Sequence, residues 1–145
     1  MPKASVKRLI KNKKNKLIEF VLDIDKYPEF IPFCEGSKIY ERNDNGTVIN
    51  IIADLTIGKG PFKDTFKSDV KFYKNDDYLH VINLDGPLKY MENNWKFVER
   101  GNSTEVFFDI DFEIKNQFLN ILMTKSFQYG LEKIADAFQK RAETL

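Results

Sequence analysis

The chain has 145 residues, of which 42% are hydrophobic, enough for one sizeable core and too few for a multidomain machine. Charged residues make up 31% but the net charge is only +1, which excludes a disordered polyelectrolyte. One Cys (Cys34) and one His (His80) exclude an internal disulfide and give no set of soft ligands for a zinc or iron centre.

The first sixteen residues carry Lys3, Lys7, Arg8, Lys11, Lys13, Lys14 and Lys16 and no acid, leaving 16 bases against 22 acids in the remainder. A basic end on an acidic body can attract phosphates of lipid or RNA; the plainer reading is a solvated turn that keeps a sheet edge soluble. No apolar run is long enough for a membrane span or a secretory signal, so cytoplasmic residence is expected.

Within that start, ASVKRLI at residues 4–10 reads as a first strand, closed by the polar KNKKNK. Leu17, Ile18, Phe20, Val21 and Ile24 recur at helical spacing, which predicts an amphipathic helix over about Asn15 to Ile24. Pro28 and Pro32 then leave room for one short helical turn in YPEFIPFC. After Gly36 the period changes from 3.6 to 2. Ile49, Ile51, Ala53, Leu55 and Ile57 alternate with polar neighbours, as do Phe66, Ser68, Val70 and Phe72, and then Val106, Phe108, Ile110, Phe112 and Ile114. Each is a strand with one buried and one wet face, the pattern of an antiparallel sheet. Turn signals at 44–46 (DNG), 58–61 (GKGP), 75–77 (NDD), 85–87 (DGP) and 100–103 (RGNS) divide this region into about six strands. A stripe from Phe118 through Leu131 to Phe138 predicts a last helix over about Asn116 to Ala142, on the order of 40 Å long. Gly130 inside it costs about 1 kcal/mol relative to Ala, offset by close packing or a bend. The expected class is α+β: a curved antiparallel sheet of about seven strands wrapped around a long C-terminal helix, with two short helices after strand 1.

The order resembles the helix-grip fold of START-like lipid-transfer and polyketide-cyclase-related domains. Within that group the chain resembles the coenzyme Q-binding protein family, whose bacterial members include the ribosome association toxin. YPEFIPFC at Tyr27 to Cys34, DGPLKYMENNWKF at Asp85 to Phe97, the FDIDFEI strand and AFQKRA near the end carry the resemblance. The family often runs a few residues past the RA pair, whereas this sequence stops at Thr144 and Leu145. The resemblance implies one START-like lipid-binding domain over residues 1–145, a ubiquinone-type ligand in place of a resident cofactor, and a supporting role in respiration. The toxin members imply the alternative: a translation regulator that binds the large ribosomal subunit and blocks subunit joining.

Catalytic patterns are thin. Cys34 and His80 are the available nucleophile and base, and a packed thiol beside a strand histidine is the commoner arrangement. GKGP lacks the Lys-Ser/Thr of a phosphate loop, and Asp109 and Asp111 share the wet face of their strand. No enzymatic activity is expected.

Binding fits the residues better. Inward-alternating Leu55, Phe66, Val70, Phe108 and Ile110, facing Met123 and Phe127 of the last helix, would wall an apolar tunnel. Such a wall suits an isoprenoid tail, at about 0.8 kcal/mol per buried CH₂. Ser68 and Asn93 are candidate partners for ring carbonyls, and Tyr27 and Trp95 candidate stacking surfaces. Tyr27, Phe30, Ile31 and Phe33 are expected to form a proline-stiffened flap at the mouth, or else to plug one end of the core. The expected partners are a hydrophobic small molecule such as a quinone, an anionic membrane touched peripherally (the inner membrane), or the large ribosomal subunit, with the protein itself a monomer.

Overall fold

A computed structural model describes residues 3–58, 61 and 63–145, with the backbone alone for residues 118–126. Strand β1 (Lys3–Ile10) leads into helix α1 (Lys14–Leu22) and a 3-10 helix (Ile24–Glu29). Then follow β2 (Cys34–Asp44), β3 (Val48–Ile57), β4 (Asp64–Tyr73), β5 (Tyr78–Asp85), β6 (Leu88–Arg100), β7 (Ser103–Ile114) and helix α2 (Gln117–Ala142). The seven strands form one antiparallel sheet in the order β1-β7-β6-β5-β4-β3-β2, so only β1 leaves the meander. This is the expected helix-grip arrangement. Helix α2 has 26 residues and is therefore about 39 Å long; it lies against β1 and β7.

Short-range chemistry places the turns. In the DNG turn the Asp44 carboxylate accepts from the Gly46 amide at 2.9 Å, and Gly46 has φ 95°. Gly86 has φ 129°, and a Cβ there would lie 2.8 Å from the Thr65 carbonyl oxygen, so DGP closes as it does because a glycine stands at that point. Of the two offsets expected at Gly130, close packing or a bend, close packing is absent: the residue is exposed and a Cβ would meet nothing within 4 Å.

The register fixes a common inner face. Ile49, Ile51, Ala53 and Leu55 of β3 stand opposite Phe72, Val70, Ser68 and Phe66 of β4. Val70 and Phe72 stand opposite Val81 and Leu79 of β5. Phe97, Trp95, Asn93 and Met91 of β6 meet Val106, Phe108, Ile110 and Phe112 of β7. Between this face and the helices lies the core, containing Leu17, Val21 and Leu22 of α1, Ile51, Phe72, Leu79, Phe97 and Ala142.

The turn after β1 is locked from two sides. The buried Thr104 hydroxyl donates to the Asn12 carbonyl at 2.9 Å, and the Asn12 side chain donates to the Ala142 carbonyl at 2.8 Å. Along the free edge of β1, the Gln128 amide donates to the Ser5 carbonyl at 2.9 Å and the Gln139 amide to the Leu9 carbonyl at 3.1 Å. Helix side chains thus occupy backbone groups that an edge strand would otherwise offer to another chain.

Candidate functional site

The inner face divides into two halves. Ile51, Ala53, Val70, Phe72, Leu79 and Val81 are buried. Toward the end where α2 begins, Leu55, Phe66, Ser68, Leu88, Ile110 and Ile114 point inward yet remain half-buried. Inward side chains with solvent-accessible surface are what an apolar recess leaves. The sequence-derived residues Leu55, Phe66, Ser68, Phe108 and Ile110 share this face; Val70 lies at its closed margin. Phe127 packs edge-on against buried Phe112 at 4.6 Å. Met123 lies outside the described side chains.

Polar groups on this face are few. Asn93 Oδ1 accepts from the Trp95 indole N–H at 3.1 Å, and its amide nitrogen lies 3.4 Å from Met91 Sδ. Its carbonyl oxygen is thus occupied inside the wall, and the free ring partner expected of Asn93 is reduced to one N–H. Asn83, which sequence reasoning missed, accepts from the Met91 amide at 2.8 Å and donates to the Leu88 carbonyl at 3.4 Å. Ser37 was also missed. It sits on β2 opposite Leu55, and its Oγ is buried with no hydrogen-bond partner among the described residues. Breaks in register between Cys34 and Gly36 and between Ile39 and Glu41 hide its inward orientation from a period-2 reading.

The YPEFIPFC segment splits. Tyr27 is 8% exposed and its hydroxyl donates to the Val21 carbonyl; burial pushes the phenol far above its ordinary range. Phe30 stacks on Phe20 at 5.1 Å, and Phe138 gathers Tyr27 and Phe30, each at 5.3 Å, with Phe20 and Trp95, each at 5.7 Å. Tyr27 and Phe30 therefore plug the core instead of rimming a mouth. The stacking surface expected of Tyr27 is filled by its own neighbours. Trp95 meets Phe108 edge-on at 4.8 Å and stays half-buried at the border between plug and recess. Phe33 is 64% exposed with φ 65°, at the end of the sheet where β2 begins.

Two further pockets lie elsewhere. One of about 380 Å³ is on the outer face, between Asn43, Asn50, Lys71 and Tyr73; the other, of about 300 Å³, lies by the C-terminal end of α2 between Phe30, Lys140, Arg141 and Thr144. Arg141 there pairs with Glu29 at 2.8 Å and covers the Phe30 ring at 5.5 Å.

Cys34 and His80 do not meet. Cys34 stands on β2 opposite Ile57 on the inner side, and burial raises its thiol pKa. His80 faces outward on β5, 3.0 Å from Glu92, and three strand spacings of about 4.8 Å separate the two strands. In the basic start, Arg8 pairs with Asp136 at 2.6 Å and Lys14 with Asp77 at 2.9 Å, whereas Lys11, Lys13 and Lys16 are exposed.

The family model for polyketide cyclase/dehydrase and lipid transport proteins matches residues 16–139, from the first turn of α1 to near the end of α2. The chain belongs to this family. A ribosome association toxin RatA of Rickettsia prowazekii is 29% identical over 139 residues, covering 94% of this chain and 92% of its own. A mitochondrial coenzyme Q-binding protein COQ10 of Dictyostelium discoideum is 28% identical over 134 residues, covering 90% of this chain and 64% of that longer one. A START superfamily protein of Mycobacterium smegmatis superposes with a TM-score of 0.82 at 21% identity, over 98% of this chain and 97% of its own. Two of these relatives are named as a toxin and a binding protein, and the family name also contains cyclases. No helix among the described residues is long and apolar enough to cross a membrane.

Proposed function

We propose that residues 1–145 act as one lipid-binding unit that carries a hydrophobic, ubiquinone-type ligand in the recess and performs no chemistry on it. The observation that carries this reading is the half-buried inner wall of Leu55, Phe66, Ile110 and Ile114. An apolar tail laid on that wall gains about 0.8 kcal/mol for each CH₂ it buries. The separation of Cys34 from His80 leaves no thiol–imidazole pair among the described residues in reach of one substrate. The kinship with a protein named for coenzyme Q binding supports the ligand class.

Filling the recess tests this. Leu55→Trp and Ile110→Trp should each reduce uptake of a ubiquinone with a short isoprenoid tail at least tenfold while moving the melting temperature by only a few degrees. Unchanged uptake by two stable variants would remove the ligand from the recess.

A second reading, ribosome binding, is favoured by exposed Lys11, Lys13 and Lys16 at the start of α1 and by the kinship with proteins named ribosome association toxin. Lysines that neutralise RNA phosphates release counterions, so this binding would weaken steeply with salt. Co-sedimentation with large ribosomal subunits across a salt series tests it directly.

A further inference from the structure

We infer that the recess selects an uncharged lipid whose head accepts hydrogen bonds, that Ser37 anchors this head beneath β2 to β4, and that the tail runs toward β6 and β7. The inference rests on the recess being the ligand site. A buried hydroxyl without a partner is uncommon in a native interior because it forfeits its hydrogen bonds to water. Ser37 Oγ is in that position among the described residues. Its strand neighbour is Leu55; two residues along β3 stands Ala53, and across from Ala53 stands Ser68. Strand spacing and rise put the α carbons of Ser37 and Ser68 about 12 Å apart on a diagonal across β3. Between them lies Ala53, whose side chain is a single methyl group. Ala53 itself is 3% exposed, so a head with an accepting carbonyl enters over half-buried Leu55 and Phe66 and meets the Ser37 hydroxyl from that side.

Of the other polar groups of the face, Asn93 keeps one amide N–H, and it stands on β6, on the tail side of the recess. Asn83 uses both ends of its amide on Met91 and Leu88, and the Asn93 oxygen holds the Trp95 indole. Charge narrows the class further. The described side chains nearest the two serines on the inner face, Ile39, Ala53, Leu55, Phe66 and Val70, are apolar; farther along β2 stand the Cys34 thiol, whose pKa burial raises, and Arg42 opposite Ile51, whose charge acts on Asp23 and Asp44. Arg8 also faces inward, but it stands on β1 at the far edge and is held by Asp136. An ionised carboxylate or phosphate placed beside the two serines would lose its hydration among apolar side chains, and the Arg42 charge is already shared by Asp23 and Asp44. A neutral carbonyl loses much less and finds a waiting donor in Ser37. The apolar Leu88, Phe108, Ile110 and Ile114 on the opposite flank then receive the tail.

The test presents three probes from neutral phosphatidylcholine vesicles at pH 7: decyl-substituted benzoquinone, its carbonyl-free counterpart decylbenzene, and decanoate. Uptake by the wild-type chain and by Ser37→Ala is read from the probe bound to recovered protein. Quenching of Trp95, the one tryptophan, reports the quinone independently. The wild type should take the quinone at least tenfold better than either other probe. Ser37→Ala should lose about 5- to 10-fold for the quinone, one hydrogen bond's worth, and nothing for decylbenzene. The unliganded Ser37→Ala protein should melt at the same temperature or higher, because the orphaned hydroxyl is gone. Equal quinone uptake by both chains, equal loss for both apolar probes, preference for decanoate or a lowered melting temperature would each overturn the anchor. Uptake of quinone and decylbenzene alike would keep the recess and discard the anchor. Uptake of neither by the wild type would discard both.

Discussion

Phe138 is the side chain on which the closed half of the molecule converges, and Phe138→Ala measures what that convergence contributes. The ring lies 5.3 Å from Tyr27 and from Phe30 and 5.7 Å from Phe20 and from Trp95. Truncating a core Phe costs about 3–5 kcal/mol, and aromatic pairs add about 0.5–1.5 kcal/mol beyond their buried area. Phe138 is half-buried, so the low end applies: about 3 kcal/mol, or roughly 10 °C in melting temperature for a chain of this length. Urea unfolding followed by Trp95 emission suits the case, because Trp95 touches the removed ring and its native spectrum should shift to the red. Phe107→Ala is the matched control. Phe107 is an exposed ring on the outer face, and its loss should stay within about 0.5 kcal/mol. A loss below about 1 kcal/mol for Phe138→Ala would show that the four rings repack without it and that α2 is not held there.

The two phenylalanines of YPEFIPFC should behave oppositely: Phe30→Ser loses stacking on Phe20 and should cost about 3 kcal/mol, while Phe33→Ser should change the urea midpoint hardly at all. Equal costs would put both rings in one environment. Replacing Lys11, Lys13 and Lys16 by Gln should leave the melting temperature in place and flatten the salt dependence of binding to ribosomes or anionic vesicles; unchanged binding at low salt would make these lysines a solvated turn. Stability at acid pH should carry two opposed contributions. Asp44 is held below its ordinary value by the Lys74 ammonium and the Gly46 amide. Its contribution is present above 3.8 and lost as pH falls through the lowered value, so Asp44→Asn should lower the melting temperature at pH 7 and by progressively less as the pH falls below 3.8. Asp23 is raised by a hydrogen bond shared with Asp25 and by burial, which disfavours its ionised form. Asp23→Asn should therefore raise the melting temperature at pH 7 and leave it unchanged at pH 3. Reversed signs in differential scanning calorimetry would refute these assignments.

The strands were legible wherever period 2 ran unbroken. Ile49 to Ile57, Phe66 to Phe72 and Val106 to Ile114 place the same side chains inward that their alternation predicted. The basic start was harder to read. Arg8 occupies an inward position between Val6 and Ile10 and pairs with Asp136, an acid 128 residues away that no local pattern connects to it. Ser37 was hidden by the two irregularities of β2, which change the sense of alternation twice in a strand rich in polar residues. The YPEFIPFC segment failed as a unit for a different reason. Its prolines predicted one helical turn between Pro28 and Pro32, whereas the 3-10 helix runs Ile24–Glu29 with Pro28 inside it, and composition could not say that Tyr27 and Phe30 turn toward Phe138 while Phe33, with its left-handed backbone, turns out. Asn93 was visible as a polar residue on an inner face; that Trp95, two residues along the same strand, uses its oxygen depends on side-chain rotamers.

The central claim is that the recess carries a hydrophobic ligand. Gentle purification from cells followed by native mass spectrometry, with organic extraction of the same sample, tests it most directly. The account predicts a quinone-type lipid bound at close to one molecule per chain, depleted in Leu55→Trp. Protein recovered free of lipid from cells rich in quinone, and unchanged in mass when a short-tailed quinone is added, would contradict it.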